Sequence, residues 1–435
     1  MRPYQILLFA SVCSLLLVSC ATSQPKTITT DWTQLVSTSP IFRQNHTGFA
    51  LYDPEKQAMV AEYQSDRYFT PASNTKLFSL YAGLCILGDS VPALRYMTRG
   101  DSLIFWGTGD PNLLHPDMPA SAVLNHLKNW GGKLYYYPHN YTGKRFGSGW
   151  SWADYDGYYQ CELSALPLYG NIVRFTNRTV KPRIFKDSLR TAGWAEEFEL
   201  SRDEFANNFF SRGWPAKAFE QDVPYRTSPQ LAAMLLADTL KKEVRLLAKL
   251  PNVANYKTMF SIPADTMYRR MIQVSDNMLA EQIMLLCASR LDTHNVGFDI
   301  KKGIDYVKTQ LLSDLPDEPI WVDGSGLSRY NLFTPRAIIK LLQKIQAKVP
   351  DQQRLFGLMS IGGKAGTIRN MFRNRPPFVF AKTGTLANTY ALSGYLRTKS
   401  GKVLIFSLMN NSYTRKTAEI RAEVERILTE VYEKY

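Results

Sequence analysis

An α+β fold is what this 435-residue chain predicts: a body of antiparallel strands flanked by helices, with smaller domains inserted into it. Three observations lead there. Strand signals run from Phe378 through Met409 and give way to an amphipathic helix from about Thr417 to Tyr432. Near the other end, Gly48–Tyr52 and Ala58–Tyr63 flank the turn residues Asp53–Lys56, a hairpin signal. Between two serine motifs that each open a helix lie about 200 residues, far beyond the connections typical within a compact domain, so something folded is inserted there.

In chain order, the apolar run Ile6–Val18 comes first, after Arg2. It is shorter than the roughly 18 to 20 uninterrupted residues of a bilayer span and reads as an export signal. It ends in Leu17-Val18-Ser19-Cys20, which reads as a bacterial lipobox with Cys20 as the lipidated residue. The expected layout is a signal over 1–20, a tether over 21–28, a catalytic domain over 29–95 and 263–435, and inserted domains over 96–262. A short helix from about Asp31 should stop before Pro40, because a residue preceding proline is pushed out of the helical region. After the hairpin, Arg67–Ala72 leads into Ser73, and Leu77, Leu80, Tyr81 and Leu84 give a helical period. Ser73 therefore opens a helix, with Lys76 about one turn along the same face.

Within the insertion, Ser102–Trp106, Lys133–Tyr137 and Gly170–Phe175 read as strands, and Ser228-Pro229 starts a helix that runs through Leu236. Ser275-Asp276-Asn277 then precedes Met278–Leu286, a segment apolar on most sides and so expected to be buried. Lys382-Thr383-Gly384 lies in the strand Phe378–Thr385. Strands Tyr390–Arg397 and Val403–Met409 follow, joined by the polar loop Thr398–Lys402.

Composition narrows the function. Hydrophobic residues make up 45% and aromatics 12%, which excludes a disordered chain. The net charge of +14 raises the question of an anionic partner. The basic residues are scattered, with no arginine-rich run or nucleic-acid reading motif, so no nucleic-acid partner is expected. A basic surface facing an anionic cell wall or lipid headgroups and a merely solvated surface both fit. Of five cysteines, Cys13 lies in the signal and Cys20 in the lipobox, leaving Cys85, Cys161 and Cys287. That odd, sparse set argues against a disulfide framework, and Cys85 and Cys287 read as core thiols. Five histidines without metal-site spacing predict no metal, and nothing calls for a cofactor.

The three motifs can supply serine acyl transfer. A serine hydroxyl needs a base, and Lys76 is the nearest to Ser73. Lowering a lysine pKa by about three units costs roughly 4 kcal/mol, which burial and a second cation, Lys382, would supply. Ser275 would relay the proton to the leaving amine, and the Asn277 amide would hold the substrate backbone. Lys382 with the Thr383 and Thr385 hydroxyls would bind a terminal carboxylate, while Gly384 would let the substrate lie against an edge strand. The backbone N–H groups of Ser73 and Thr385 would form the oxyanion hole, worth ~3 to 4 kcal/mol per donor. Each motif alone reads as an ordinary helix start, helix cap or edge strand. Together, in order and on the right elements, they define one chemistry.

On these motifs, and on Phe69-Thr70-Pro71-Ala72-Ser73, Gly109-Asp110-Pro111, Asp323-Gly324-Ser325-Gly326-Leu327-Ser328-Arg329 and Ala391-Leu392-Ser393-Gly394-Tyr395, the chain resembles the class C low-molecular-mass penicillin-binding proteins. These are the D-alanyl-D-alanine carboxypeptidases and endopeptidases of the penicillin-binding protein 4 type. The resemblance implies a β-lactamase/transpeptidase-like catalytic domain with smaller domains inserted after the first motif. It also implies activity on peptidoglycan stem peptides and acylation by β-lactams. Trp150–Asp154 and Tyr158-Tyr159 resemble an insert segment that faces the peptide side chain, so Asp154, Tyr159 and Arg329 are candidate specificity residues for an end carrying both amine and carboxylate. Cys161-Glu162-Leu163 departs from the small, apolar residues usual there. No Glu-x-x-Leu-Asn segment supplies a deacylating glutamate, so β-lactams are expected to leave Ser73 slowly. Two other readings stay open: a low-turnover penicillin-sensing or wall-binding protein, and a β-lactamase-like hydrolase. The expected location is periplasmic, anchored by the N-terminal lipid to a bacterial membrane, with the outer membrane favoured over the inner.

Overall fold

The computed structural model describes residues 31–215, 218–251, 255–294 and 297–435. The expected signal, tether and Cys20 lie outside the described residues. The chain is α+β, and its central element is a six-stranded antiparallel sheet in the order Ser360–Ile361, Val379–Leu386, Thr389–Arg397, Val403–Asn411, His46–Asp53, Ala58–Tyr63. The N-terminal hairpin thus joins the C-terminal strands, with His46 opposite Asn411 and Tyr52 opposite Ile405.

Both faces of this sheet are dry, and the side-chain alternation of a strand explains how. In Val403–Asn411, Leu404, Phe406 and Leu408 enter one core while Ile405 and Met409 enter another. The first core is closed by Ile420, Val424, Ile427, Leu428 and Val431, the i, i+4, i+7, i+8, i+11 face of the C-terminal helix Thr417–Lys434. The second is closed by the nucleophile helix Lys76–Ile86, the second-motif helix Asn277–Leu291 and helices Ala264–Gln273 and Pro335–Lys348. Every residue from Met278 to Ser289 is buried, as an element apolar on most sides requires.

The insertion carries three further sheets. The largest has the order Val244–Leu246, Lys133–Tyr136, Ser102–Gly107, Ser90–Arg99, Lys257–Pro263. Its strand Ser90–Arg99 straddles the expected boundary at residue 95. That incoming strand pairs with the outgoing strand Lys257–Pro263, Tyr96 opposite Lys257 and Ser90 opposite Pro263. The ends of the excursion therefore meet, so a long segment is accommodated with little disturbance of the body it interrupts. Its helix Pro229–Leu240 starts as the sequence predicts, with Ser228 Oγ accepting from Leu231 N. Among the described residues no helix is long and apolar enough to cross a membrane.

Candidate active site

Ser73 lies in a 3₁₀ turn, Ala72–Thr75, that runs directly into the nucleophile helix. Its hydroxyl is not spent on a helix cap; it accepts from Lys76 Nζ at 2.9 Å. The same ammonium nitrogen reaches Asn277 Oδ1 at 2.6 Å and the Ser325 carbonyl at 2.8 Å. The first two motifs and the Asp323–Arg329 segment thus converge on one nitrogen. A neutral amine has two N–H bonds and one lone pair. Asn277 Oδ1 and Ser325 O can only accept, so Ser73 Oγ–H is the one neighbour able to donate to that lone pair.

Lys76 is fully buried, and burial pushes its pKa down to about 8 against the opposing pull of Asp323, Glu281 and Asp276. Burial is the larger cause, and repulsion between Lys76 and Lys382 acts on the pair. Lys382 is itself buried, and burial first, then the Lys76 charge, hold its amine well below the ordinary lysine range. Lys382 Nζ donates to Ser275 Oγ at 2.9 Å and to the Thr383 carbonyl at 2.7 Å. Ser275 sits in the left-handed region at φ 62°, as does Ala72 at φ 47°, so strained backbone flanks the nucleophile and holds the second serine. Asp276 takes the cap of the second-motif helix, accepting from Leu279 N at 3.0 Å.

Gly384 packs against the Ser73 turn. A Cβ there would stand 2.3 Å from the Pro71 carbonyl and 3.1 Å from Ser73 N, so the missing side chain makes room for that turn. Gly326, at φ 84°, meets the same turn: its Cβ would fall 1.9 Å from the Ala72 carbonyl. Asn74 Nδ2 also donates to the Lys382 carbonyl at 3.1 Å. The edge of Val379–Leu386 beyond Ala381 has no strand partner, since Ser360–Ile361 pairs only with Ala381 and Phe380.

Ser73, Ser275, Asn277, Thr385, Asp154, Tyr159 and Arg329 line one cleft of about 940 Å³. Lys76, Lys382, Thr383 and Gly384 lie behind its wall, and the Thr383 hydroxyl is turned to Thr367 Oγ1 at 2.8 Å. Two hydrogen bonds tie the Trp150–Gln160 loop of the insertion to the site: Asn277 Nδ2 donates to the Tyr159 carbonyl at 3.0 Å, and Trp150 Nε1 to Asp323 Oδ2 at 2.9 Å. One hydrogen of Asn277 Nδ2 remains for a ligand. Burial raises the Tyr159 hydroxyl pKa, with its bond to Asp154 second. The departing Glu162 is a buried, fully partnered carboxylate: it takes Arg145 at 3.0 Å and Thr227 N and Oγ1 at 2.8 Å.

Glu281, which motif reading misses, and Asp323, which opens the Asp323–Arg329 motif, are supporting residues. Glu281 clamps the Gly324 and Ser325 N–H groups at 2.9 and 2.8 Å, which aims the Ser325 carbonyl at Lys76. Burial and the neighbouring Asp323 charge raise its pKa to about 8. Asp323 accepts from Gly326 N, Ser328 N and Asn331 Nδ2. A lone acid inside the apolar run Met278–Leu286 was the available signal for Glu281.

The profile of the D-Ala-D-Ala carboxypeptidase 3 (S13) family matches residues 32–193 and 221–431. The chain is 24% identical over 434 residues to D-alanyl-D-alanine carboxypeptidase DacB of Haemophilus influenzae, covering 88% of each chain. It is 36% identical over 99 residues to a D-alanyl-D-alanine carboxypeptidase of Actinomadura sp., 21% of this chain and 18% of that one. The crystal structure of penicillin-binding protein 4 (dacB) from Haemophilus influenzae has the same fold, with a TM-score of 0.74 at 21% identity, over 93% of this chain and 100% of that one.

Proposed function

Because the chain belongs to the D-Ala-D-Ala carboxypeptidase 3 (S13) family, we propose that it is a serine carboxypeptidase and endopeptidase that cleaves D-alanyl-D-alanine-type peptides of peptidoglycan through an acyl-Ser73 intermediate. The observation that carries this reading is the convergence of Ser73 Oγ, Asn277 Oδ1 and Ser325 O on the buried Lys76 Nζ. Neutral Lys76 takes the Ser73 proton as Oγ attacks the scissile carbonyl. The backbone N–H groups of Ser73 and Thr385 stabilise the oxyanion. Ser275, held by Lys382, passes a proton to the leaving amine, and water then releases the acyl group. Asn277 steadies the peptide backbone, and Lys382 with Thr385 attracts the terminal carboxylate. Asp154, Tyr159 and Arg329 meet the peptide side chain. A β-lactam enters the same path by ring opening, and acylates Ser73 in a long-lived form.

Cys20 carries the lipid in this reading, and the exported enzyme works in the periplasm, tethered to a membrane. The lipobox supports that location. Digestion of purified muropeptides tests the function. Loss of terminal D-alanine or of crosslinks by the native chain, absent in Ser73→Ala, is the expected result; a chain that neither binds labelled penicillin nor cleaves a D-Ala-D-Ala peptide overturns it.

A further inference from the structure

A loop of the insertion, Trp150–Gln160, stands at the mouth of the cleft and is fastened to the catalytic body near both ends. Trp150 Nε1 donates to Asp323, Asn277 Nδ2 to the Tyr159 carbonyl, and Gln160 Nε2 closes the loop on the Ser151 carbonyl at 2.7 Å. Its aromatic residues face two ways. Trp150 is half-buried, whereas Trp152 and Tyr158 are 66% and 70% exposed. Tyr330, next to Arg329, is 61% exposed, and its ring lies 2.8 Å from where a Gly149 Cβ would stand, so it adjoins the root of the same loop. Tyr158 lines the cleft, Trp152 follows the cleft-lining Ser151 and Tyr330 follows the cleft-lining Arg329, so large rings held in solvent border a binding cleft and mark an interaction surface.

We propose that Trp152, Tyr158 and Tyr330 form a carbohydrate subsite, a rim on which the N-acetylated sugars that carry the stem peptide stack. The proposal rests on the peptidase reading of the cleft. The scissile bond follows the fourth residue of a peptide whose first residue is joined to the glycan, and four extended residues span at most about 13 to 14 Å. A peptide acylating Ser73 and held at Asn277 keeps its sugar within that reach of Ser73, and the loop that Asn277 grips borders the same cleft. The apolar C–H face of a pyranose packs flat on an aromatic ring, and rings with only two side-chain torsions are ordered at low entropic cost. Charge selects the occupant: residues 150–161 hold Asp154 and Asp156 and neither lysine nor arginine, and with Arg329 beside Tyr330 the rim stays net acidic, which suits a neutral sugar and disfavours an anionic lipid headgroup.

The test uses the full chain and two pentapeptide substrates, one sugar-free and one bearing the N-acetylated disaccharide. D-Alanine release is measured for the native chain, Trp152→Ala, Tyr330→Ala and the double variant. Binding of both peptides is measured by calorimetry in a Ser73→Ala background. The disaccharide is expected to lower KM roughly tenfold, an advantage that the double variant loses while its turnover of the sugar-free peptide and its β-lactam acylation rate stay unchanged. Equal KM for the two substrates in the native chain, or parallel loss on both in the double variant, overturns the rim. If neither peptide is cleaved, the peptidase reading fails and the binding arm decides alone. Tighter binding of the sugar-bearing peptide that vanishes in the double variant supports the rim, and equal binding of the two peptides overturns it.

Discussion

The two walls of the cleft are held by different physics. On the body side, the Ser73 turn is wedged between Gly326 and Gly384 at backbone contact distance, inside a fold whose sheet is buried on both faces. On the insertion side, Asp154 and Tyr159 ride on a loop fastened by Trp150–Asp323 and Asn277–Tyr159, hydrogen bonds of ordinary strength. Close packing resists displacement steeply, whereas a hydrogen bond can be exchanged for water at modest cost. The Ser73 turn thus sits where a shift is most expensive, and the proposed selectivity residues Asp154 and Tyr159 sit where substitution leaves the core intact.

The largest effect expected is at the base. Lys76→Met should lower the acylation rate by about 10³-fold or more with the fold retained, read with labelled penicillin and circular dichroism. A fast Lys76→Met variant would move the base elsewhere. Gly326→Ala attacks the body wall itself: at φ 84° and 1.9 Å from the Ala72 carbonyl, the added methyl should destabilise the chain by about 2 to 4 kcal/mol and slow acylation on the order of 10²-fold. Urea unfolding and acylation kinetics measure the two parts. If stability falls without any loss of rate, the wedge does not position Ser73.

The pH dependence separates charge from geometry in the same wall. Below its pKa of about 8, Lys76 is protonated and cannot accept, so kcat/KM should fall about tenfold per pH unit on the acid side and level off above. Glu281 pulls the Lys76 pKa up only when ionised, and burial keeps much of it protonated at the same pH, so Glu281→Gln should move that limb only slightly, toward lower pH. It also turns an amide N–H toward one of the two backbone donors, at a stability cost of about 1 to 3 kcal/mol. A limb displaced toward higher pH would contradict the assigned electrostatics. The smallest effect belongs to the insertion wall. Trp150→Phe removes one hydrogen bond to Asp323, about 1 to 2 kcal/mol, and should raise KM for the peptide a few-fold while β-lactam acylation keeps its rate. Equal loss on both ligands would place Trp150 with the catalytic wall.

Local features were legible in the sequence. The Ser73–Lys76 spacing placed both on one face of a helix start, Ser228-Pro229 opened its helix, and the strands on either side of Thr398–Lys402 lie where alternation put them. Each depends on neighbours within a few residues, where propensity and periodicity act. Gly384 was legible as a residue that something approaches closely, but what approaches is the Pro71–Ser73 backbone, about 300 residues away in sequence, and no local rule names a distant partner. Burial was expected to lower the Lys76 pKa and does, but its completeness, and the opposing pull of Asp323, Glu281 and Asp276, come from residues remote in sequence.

By itself, then, the sequence determined the proposed reacting groups, the elements that carry them and the presence of a folded segment between the serine motifs, because motif spacing and hydrophobic period are written along the chain. Only the tertiary structure decided that His46–Asp53 pairs with Val403–Asn411, that Ser325 O and Asn277 Oδ1 leave Ser73 as the donor to Lys76, and that Tyr159 is tied to Asn277. Those outcomes depend on which buried surfaces find each other across hundreds of residues, and it is the burial that turns a surface lysine's chemistry into that of a base.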